Sequence, residues 1–240
     1  MKPAISIQNV SKRFGKKTVL KDVQFDILEG KLYGFIGPSG AGKTTLVKLI
    51  MGMEVADQGS IYLLGKKMPN LQILQQVGYM AQSDALYKEL TGKENLLFFA
   101  SLFKLKNAER KKRMEYAAGL VNLNSDLNKK VAFYSGGMKR RLSLAIALIQ
   151  NPQVLILDEP TVGIDPELRV TIWNELLRLK NEEGKTIIVT THVMDEAERC
   201  DYISMVREGS LIATGTPEEL KEQYAAENLN DVFLKAGRNK

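Results

Sequence analysis

The alternation of apolar and polar side chains predicts two strands near the start of the chain. Apolar and polar residues largely alternate in residues 4–10 and again in residues 19–28, a pattern typical of half-buried strands. The basic stretch between them, residues 11–17, contains one aromatic residue, Phe14, and is predicted to be a turn. We therefore expect two antiparallel strands that form a small β layer beside the main core.

Uninterrupted apolar runs predict a second, buried sheet. Such runs occur at residues 32–36 and 154–157, and they are typical of parallel strands covered on both faces. Residues 186–191, with three threonines, are predicted to form another buried strand. Residues 45–52 and 167–179 repeat apolar positions at helical spacing after the first two of these strands. Shorter strands are predicted at residues 59–64, 77–81, 202–206 and 210–214.

The character of the sequence changes to helical between residues 91 and 150. Thr91 and Glu94 have the spacing of a capping box, and further helices are predicted at residues 107–120 and 139–150. The predicted fold is therefore α/β. A mostly parallel sheet with flanking helices carries an N-terminal antiparallel β layer and an inserted helical subdomain.

Composition excludes several classes of protein. None of the apolar runs in these 240 residues approaches the ~20 residues of a membrane-spanning helix. Residues 1–4 have no apolar signal region, so we do not expect the chain to be exported. The single cysteine, Cys200, excludes an internal disulfide and fits a reducing compartment. A modest net charge of +6 usually serves solubility. Because the sequence has no base-reading motif, we expect no nucleic-acid partner. We also expect no direct membrane span.

One motif points to phosphate chemistry. The residues that follow the first buried strand fit G-x-x-x-x-G-K-[ST], the phosphate-binding loop of nucleotide hydrolases: Gly37, Pro38, Ser39, Gly40, Ala41, Gly42, Lys43 and Thr44. Backbone N–H groups and the N-terminus of the following helix bind phosphate oxygens. Lys43 is expected to reach the β- and γ-phosphates, and the Thr44 hydroxyl to ligate Mg²⁺.

Acidic residues and a histidine follow two other buried strands. Asp158 and Glu159 come directly after residues 154–157, at the carboxyl end where open α/β sheets bind ligands. One acid is expected to bind the metal and the other to orient water. Pro160 is predicted to hold Glu159 in an extended conformation. His192, the only histidine, follows residues 186–191 and is expected at the same edge.

Two further features admit two interpretations from the residues alone. Ser135, Gly136 and Gly137 precede an apolar helix; they form either an anion site or a serine N-cap with a flexible entry, and the cap is the better interpretation. Phe14 is either a base-stacking aromatic or a core residue at a strand end.

In their order along the chain, these motifs resemble the ATP-binding subunit of an ABC transporter, a P-loop NTPase, over essentially the whole sequence. Residues 37–44 match the Walker A loop, residues 154–159 match Walker B, and residues 163–165 match the D-loop. The resemblance assigns catalysis to Glu159 and His192, and Mg²⁺ to Thr44, Gln82 and Asp158. Besides the loop residues 37–44, it assigns ATP binding to Phe14, Thr45, Gln82, Ser135, Gly136, Gly137 and Asp165.

The resemblance also implies an assembly. Two copies, or two cassettes, are expected to sandwich two ATP molecules, and an integral membrane permease is expected to provide the translocation pathway. Residues 82–105 would report the nucleotide state to that permease, and the chain would lie in the cytoplasm on the inner face of the cell membrane. Residues 135–142 and 229–234 resemble the drug and antibiotic exporter branch, although Tyr134 and Met138 stand where the usual signature has Leu and Gln.

The predicted organisation is one cassette over residues 1–240. Its ATPase core comprises residues 1–82 and 151–220, the helical subdomain residues 83–150, and the tail residues 221–240.

Other functions are expected to leave different features in the sequence. One alternative is a soluble ABC-type ATPase acting on a macromolecular complex; those that act on ribosomes or DNA generally carry paired cassettes or long insertions, whereas this chain has one compact cassette. A GTPase is expected to have an Asn-Lys-x-Asp motif, and residues 128–131 lack its final acid; a small-molecule kinase would not need Ser135, Gly136 and Gly137. A nucleotide sensor without turnover would not need Glu159 and His192.

Overall fold

The computed structural model describes residues 2–82, 85–103 and 105–238. Its strands are, in chain order, β1 (Pro3–Phe14), β2 (Lys17–Leu28), β3 (Leu32–Ile36), β4 (Gln58–Leu63), β5 (Lys66–Lys67), β6 (Val77–Met80), β7 (Val154–Asp158), β8 (Thr186–Thr191), β9 (Tyr202–Arg207) and β10 (Ser210–Gly215). Its α-helices are α1 (Lys43–Ile50), α2 (Gly92–Leu102), α3 (Asn107–Leu120), α4 (Gly136–Leu148), α5 (Pro166–Glu183), α6 (Met194–Ala197), α7 (Pro217–Gln223) and α8 (Leu229–Ala236).

The chain divides into two compact units. The first comprises Met1–Ile73 together with Thr186–Lys240, and the second comprises Leu74–Lys185. Each unit has its own buried core, which includes Phe35 and Ile36 in the first and Trp173 and Leu157 in the second. The predicted division at residues 82, 150 and 220 remains a prediction.

The first unit contains the expected antiparallel layer. Its strands follow the order β2-β1-β4-β5, and β1 pairs antiparallel with both β2 and β4. The predicted turn at residues 11–17 is wrong, because β1 continues to Phe14 and the connection is only Gly15 and Lys16. Gly15 has φ 58°, which permits such a tight hairpin, and Ser11 pairs with Gln58 of β4. This pairing keeps a basic stretch extended despite its turn-like composition.

The first unit also contains parallel strands around β3. β3 is hydrogen-bonded in parallel to β8 on one side and β9 on the other, and β10 closes a hairpin with β9. Every residue of β3 and β8 is buried, as predicted for both strands. The carboxyl ends of β3 and β8 lie at one edge, because Ile36 pairs with Thr191.

The second unit contains two parallel strands and the long helices. β6 and β7 pair in parallel register from Val77 and Val154 to Met80 and Leu157. α2 begins with the predicted capping box, in which the Thr91 side chain accepts from the Glu94 N–H and the Glu94 carboxylate accepts from the Thr91 N–H. α4 begins three residues earlier than predicted, because Ser135 caps the helix and both following glycines are helical.

Candidate functional site

The loop between β3 and α1 has the backbone of a phosphate cradle. Gly40 and Gly42 have φ of 78° and 113°, in the left-handed region that favours glycine. Gly42 is the N-cap of α1 and contributes no side chain to cap it, so the first N–H groups of the helix point toward the loop without a side-chain acceptor from that residue. This arrangement is the one that binds anions at helix N-termini.

Lys43 is buried at the base of this loop. Its side chain is only 5% exposed, and Nζ donates to the carbonyl oxygens of Gly37 at 2.6 Å and Pro38 at 3.1 Å. Those bonds tie the ammonium group to the loop that it follows. A buried cation beside oriented N–H groups makes the loop electropositive, as the binding of a polyphosphate requires.

The backbone of the β9–β10 hairpin contacts the phosphate loop. A Cβ added at Gly37 would overlap the carbonyl oxygen of Val206, and the N–H of Gly209 donates to the carbonyl oxygen of Ala41 at 3.0 Å. Gly37 is therefore glycine because backbone passes close to it. The loop thus continues from β3 and is contacted by the backbone of the β9–β10 hairpin.

Phe14 lies at the end of β1, with its ring 46% exposed. The Lys12 ammonium is 5.1 Å from the ring centroid, and it also donates to the Val55 carbonyl oxygen at 2.8 Å and pairs with Glu54 at 3.5 Å. Lys12 thus holds a cation against the ring. The exposure supports the base-stacking interpretation over a core role.

His192 follows β8 at the edge where the phosphate loop follows β3, because Ile36 and Thr191 are paired. Its side chain is exposed. The Thr191 hydroxyl donates to the buried Glu196 carboxylate at 2.6 Å and accepts from the Val193 N–H at 3.0 Å. These bonds fix the backbone on both sides of His192.

In the second unit, the acids that follow β7 differ in their surroundings. Asp158 is buried, with 1% exposure, and Glu159 is half-buried. Burial, followed by the nearby Asp158 charge, raises the pKa of Tyr79 to about 12, so the phenol stays neutral next to this carboxylate. Tyr79 had no role in the sequence predictions.

The predicted extended conformation of Glu159 is wrong. Its φ is 53°, in the left-handed region. The proline at position 160 disfavours the right-handed helical conformation, and the chain avoids that conformation by turning sharply instead of continuing the strand. A positive φ in a residue with a side chain is uncommon and is concentrated at functional sites.

Gln82 and the two acids are brought together through Arg140 of α4. The Arg140 guanidinium donates to the carbonyl oxygens of Ala81 and Gln82, which follow β6, and to those of Asp158 and Glu159. The sequence predictions gave Arg140 no role. A signal was present, because Arg140 shares the apolar face of its helix with Leu144.

The Ser135 cap predicted from sequence is present. Its Oγ accepts from the Met138 N–H at 3.2 Å, and the side chain is exposed. Within the described chain, no heavy atom beyond its immediate neighbourhood lies within 4 Å of a Cβ built at Gly136. A Cβ at Gly137 would lie 3.1 Å from the carbonyl oxygen of Gly163, in the loop before α5.

Tyr134, which departs from the usual signature, anchors this segment. It is buried, and its hydroxyl donates to the Asp126 carbonyl oxygen at 2.7 Å. A Cβ at Gly92 would overlap that hydroxyl oxygen. Asp165 caps α5 by accepting from the Leu168 N–H at 2.9 Å.

The predicted site residues are distributed over both units. The first contains Phe14, residues 37–45 and His192, and the second contains Gln82, residues 135–137, Asp158, Glu159 and Asp165. The part of the chain that the structure describes has no cluster of three or more His, Cys, Asp or Glu side chains arranged for a metal. Thr44, Gln82 and Asp158 nevertheless offer hydroxyl, amide and carboxylate oxygens, the hard donors that suit Mg²⁺.

None of the helices formed by the described ranges, 2–82, 85–103 and 105–238, has both the length and the apolar character needed to cross a membrane.

The strand–loop–helix at residues 32–50, with its buried lysine, defines a P-loop nucleotide-binding protein. A family model described as "ABC transporter" matches residues 20–162. The linearmycin resistance ATP-binding protein LnrL of Bacillus subtilis is 38% identical over 98% of this chain and 79% of its own length. The Nod factor export ATP-binding protein I of Rhizobium johnstonii is 44% identical over 92% of this chain and 71% of its own length.

Solved structures agree with these sequence relatives. The ATP-binding subunit of an ABC transporter superposes with a TM-score of 0.91 at 28% identity, covering 98% of this chain and 99% of that one. A dimeric bacterial ABC transporter cassette gives a TM-score of 0.83 at 28% identity, covering 88% and 98%. The chain belongs to the ABC transporter family, as an ATP-binding subunit with ATPase activity.

Proposed function

We propose that this chain hydrolyses ATP as a dimer to drive export through a separate integral membrane permease. The exporter assignment is supported by relatives named for Nod factor export and linearmycin resistance. The chain would act in the cytoplasm, on the inner face of the cell membrane.

Binding of ATP is assigned to the loop of residues 37–44 and to Phe14. The loop N–H groups and Lys43 would neutralise the phosphate charges, and the exposed ring of Phe14 would stack on the adenine. Thr44, Gln82 and Asp158 would hold Mg²⁺, which when bound withdraws charge from the β- and γ-phosphate oxygens. Thr45, in the first turn of α1, is also assigned to ATP binding.

Hydrolysis is assigned to Glu159 and His192. The Glu159 carboxylate would accept a hydrogen bond from the attacking water and draw its proton away from the forming O–P bond. The exposed His192 side chain would donate to the γ-phosphate oxygens. Such chemistry depends mainly on positioning and electrostatics.

The proposed dimer is supported by the environment of Gly136. It lies in the first turn of α4 with an ordinary helical φ, is exposed, and has no close neighbour in the described chain that would exclude a side chain. Glycine there costs helix stability relative to alanine, so a demand from outside the chain accounts for it. We assign that demand to the γ-phosphate of ATP bound to a second copy, with Ser135, Gly137 and Asp165 on the same face of the assembly.

Docking of the permease is assigned to the aromatic cluster of α2 and the segment before it. Tyr87 and Phe98 form an edge-to-face pair with centroids 4.8 Å apart, and Phe98 and Phe99 form another at 5.4 Å. Tyr87 is 49% and Leu102 is 54% exposed. An exposed aromatic and aliphatic surface of this kind supports contact with an apolar partner segment. It lies within residues 82–105, where the permease contact is expected from sequence.

Replacing Glu159 by Gln tests the catalytic assignment. The amide keeps the shape of the side chain but does not accept a proton, so steady-state turnover should fall about 10²- to 10⁴-fold while ATP binding is retained. The variant should also form a stable dimer with ATP, measured by size-exclusion chromatography with light scattering.

Two matched variants accompany this experiment. Glu167→Gln makes the same change at an exposed acid of α5 and should hydrolyse ATP normally, whereas Lys43→Ala should lose nucleotide binding. Hydrolysis by Glu159→Gln at the unmodified rate would show that another group activates the water.

A further inference from the structure

We propose that Arg140 is a positioning residue for catalysis, holding the backbone at the ends of β6 and β7 in its reactive arrangement. We call Arg140 and its four acceptors, the carbonyl oxygens of Ala81, Gln82, Asp158 and Glu159, the Arg140 clamp. This inference rests on the proposed roles of Gln82, Asp158 and Glu159. It adds a residue that acts on these three through their main-chain carbonyl groups.

The geometry of the clamp comes from one planar group. Nη1 of Arg140 donates to the carbonyl oxygens of Ala81 at 3.0 Å and Gln82 at 2.8 Å. Nη2 donates to the carbonyl oxygen of Glu159 at 2.6 Å and to that of Asp158. The residue is 8% exposed, so these bonds form away from bulk water, where charge-assisted hydrogen bonds are strong.

The acceptors need such a donor. The β6–β7 register ends at Met80 and Leu157, so the four carbonyl groups of the clamp follow the last paired residues of these two strands. A buried carbonyl such as that of Asp158 requires a partner. The arginine needs the acceptors equally. It lies on the buried face of α4 with Leu144 and Ala147, where a guanidinium without hydrogen-bond partners would be strongly unfavourable. The two requirements satisfy each other in a single local arrangement.

The functional consequence follows from which backbone is held. Gln82 and Asp158 are the proposed Mg²⁺ ligands of this unit, and Glu159 is the proposed base. One rigid fork therefore fixes the main chain of all three. A misplacement of about 1 Å at catalytic groups can reduce a rate about 100-fold, so the clamp sets turnover through the main chain that it holds.

The clamp also connects the active residues to the start of α4. Arg140 follows Gly136 by four residues, about one helical turn. The helix is continuous from Gly136 to Leu148. A second copy's ATP seated on Gly136 would therefore press on the same rigid element that holds the Glu159 backbone.

Arg141 provides a matched control. It is the next residue of the same helix, and its Nη1 also donates to two carbonyl oxygens, those of Val121 at 3.2 Å and Asn122 at 2.9 Å. These acceptors follow α3 and carry no proposed role in catalysis. The loss of an arginine–carbonyl contact can thus be compared at two adjacent positions. Only the contacts of Arg140 are made to the backbone of proposed site residues.

The experiment compares R140K and R141K in the full chain. Lysine keeps the charge but lacks the planar fork that reaches several carbonyls at once. At saturating protein, ATP and Mg²⁺, R140K should lower kcat about 100-fold, whereas R141K should remain within about twofold. The ATP dissociation constant should change less than about twofold in both, since the phosphate loop is untouched.

Hydrogen exchange supplies a readout that does not depend on activity. In nucleotide-free protein, R140K should speed amide exchange in residues 77–82 and 154–162, and R141K should speed it in residues 119–124. A uniform increase across the chain would instead report lower global stability. Local loosening at the two strand ends is the signature expected of a positioning role.

Each outcome decides between explanations. Equal losses of kcat in R140K and R141K, full kcat in R140K, or an R140K chain that is unfolded while R141K is folded would overturn the clamp. If the unmodified chain fails to hydrolyse ATP, or Glu159→Gln hydrolyses it at the unmodified rate, the proposed function fails first. An active chain, an inactive Glu159→Gln and a fully active R140K would overturn the clamp alone.

Discussion

Replacement of Phe14 by alanine isolates the contribution of one exposed ring to nucleotide affinity. Phe14 lies at the end of β1, paired with Lys17 across the hairpin, and its ring is 46% exposed. Lys12 holds its ammonium 5.1 Å from the ring centroid. The ring is thus fixed by a hairpin and a cation while much of it stays open to a ligand.

The magnitude follows from separating what the ring does in the free protein from what it does with ATP bound. Because the side chain is about half exposed, its removal should lower the free energy of unfolding by about 1 kcal/mol, roughly half of the value for a fully buried phenylalanine. Loss of base–aromatic stacking costs about 1–3 kcal/mol. At about 1.4 kcal/mol per tenfold, the dissociation constant for ATP should rise roughly 5- to 150-fold.

Isothermal titration with ATP in the Glu159→Gln background measures this change without turnover. GTP should lose affinity by a similar factor, because stacking accepts any base. Inorganic triphosphate should bind Phe14→Ala as tightly as it binds the unmodified protein, since it has no base. Phe14→Trp should preserve ATP affinity, and Leu71→Ala, at an exposed position of the same unit, should leave it unchanged.

Two results would refute the reasoning about Phe14. The first is an ATP dissociation constant for Phe14→Ala within about twofold of the unmodified value, which would show that no stacking is lost. The second is an equal loss of affinity for inorganic triphosphate. That result would mean that the substitution has disturbed the phosphate loop and not a contact with the base.

The remaining predictions concern the second copy and the permease. Gly136→Ala should leave the melting temperature unchanged or slightly higher, because alanine favours the helix more than glycine does, but it should abolish ATP-dependent dimerisation in the Glu159→Gln background. The control Gly119→Ala, in α3 with only a 3.6 Å contact to Asn124, should dimerise normally, and a dimer of Gly136→Ala would contradict the assignment. Phe98→Glu should retain ATP binding but lose co-purification with a tagged permease encoded by a neighbouring gene, whereas Leu71→Glu should retain both; co-purification of Phe98→Glu at the unmodified level would place the permease elsewhere.

Where local signals were strong, the elements predicted from sequence agree with the structure. The residues of β3, α3 and β8 have the predicted bounds, because uninterrupted apolar runs and helical periodicity act over neighbouring residues. The predicted Thr91 capping box is present for the same reason. It consists of contacts between side chains and backbone groups three residues away.

Where distant pairing competes with local composition, the predictions were wrong. Residues 11–14 are rich in basic and polar groups, yet they form part of β1 because β2 and β4 provide hydrogen-bond partners for them. Glu159 was expected to be extended, because the proline that follows it disfavours helical geometry. Its φ of 53° shows that this rule excludes one conformation without selecting among the rest.

The sequence by itself determined the chemistry that this protein can perform. The residue types and spacing of 37–44, the acids at 158 and 159, and the serine cap at 135 are properties of short segments, and short segments can be interpreted one at a time. Tertiary structure alone decided that Gly136 has no near neighbour in the described chain and that Arg140 reaches the carbonyl oxygens of Gln82 and Glu159, which are 58 and 19 residues away. Such contacts depend on how helices and strands pack, and the charge of an arginine does not specify which distant carbonyl groups it will meet.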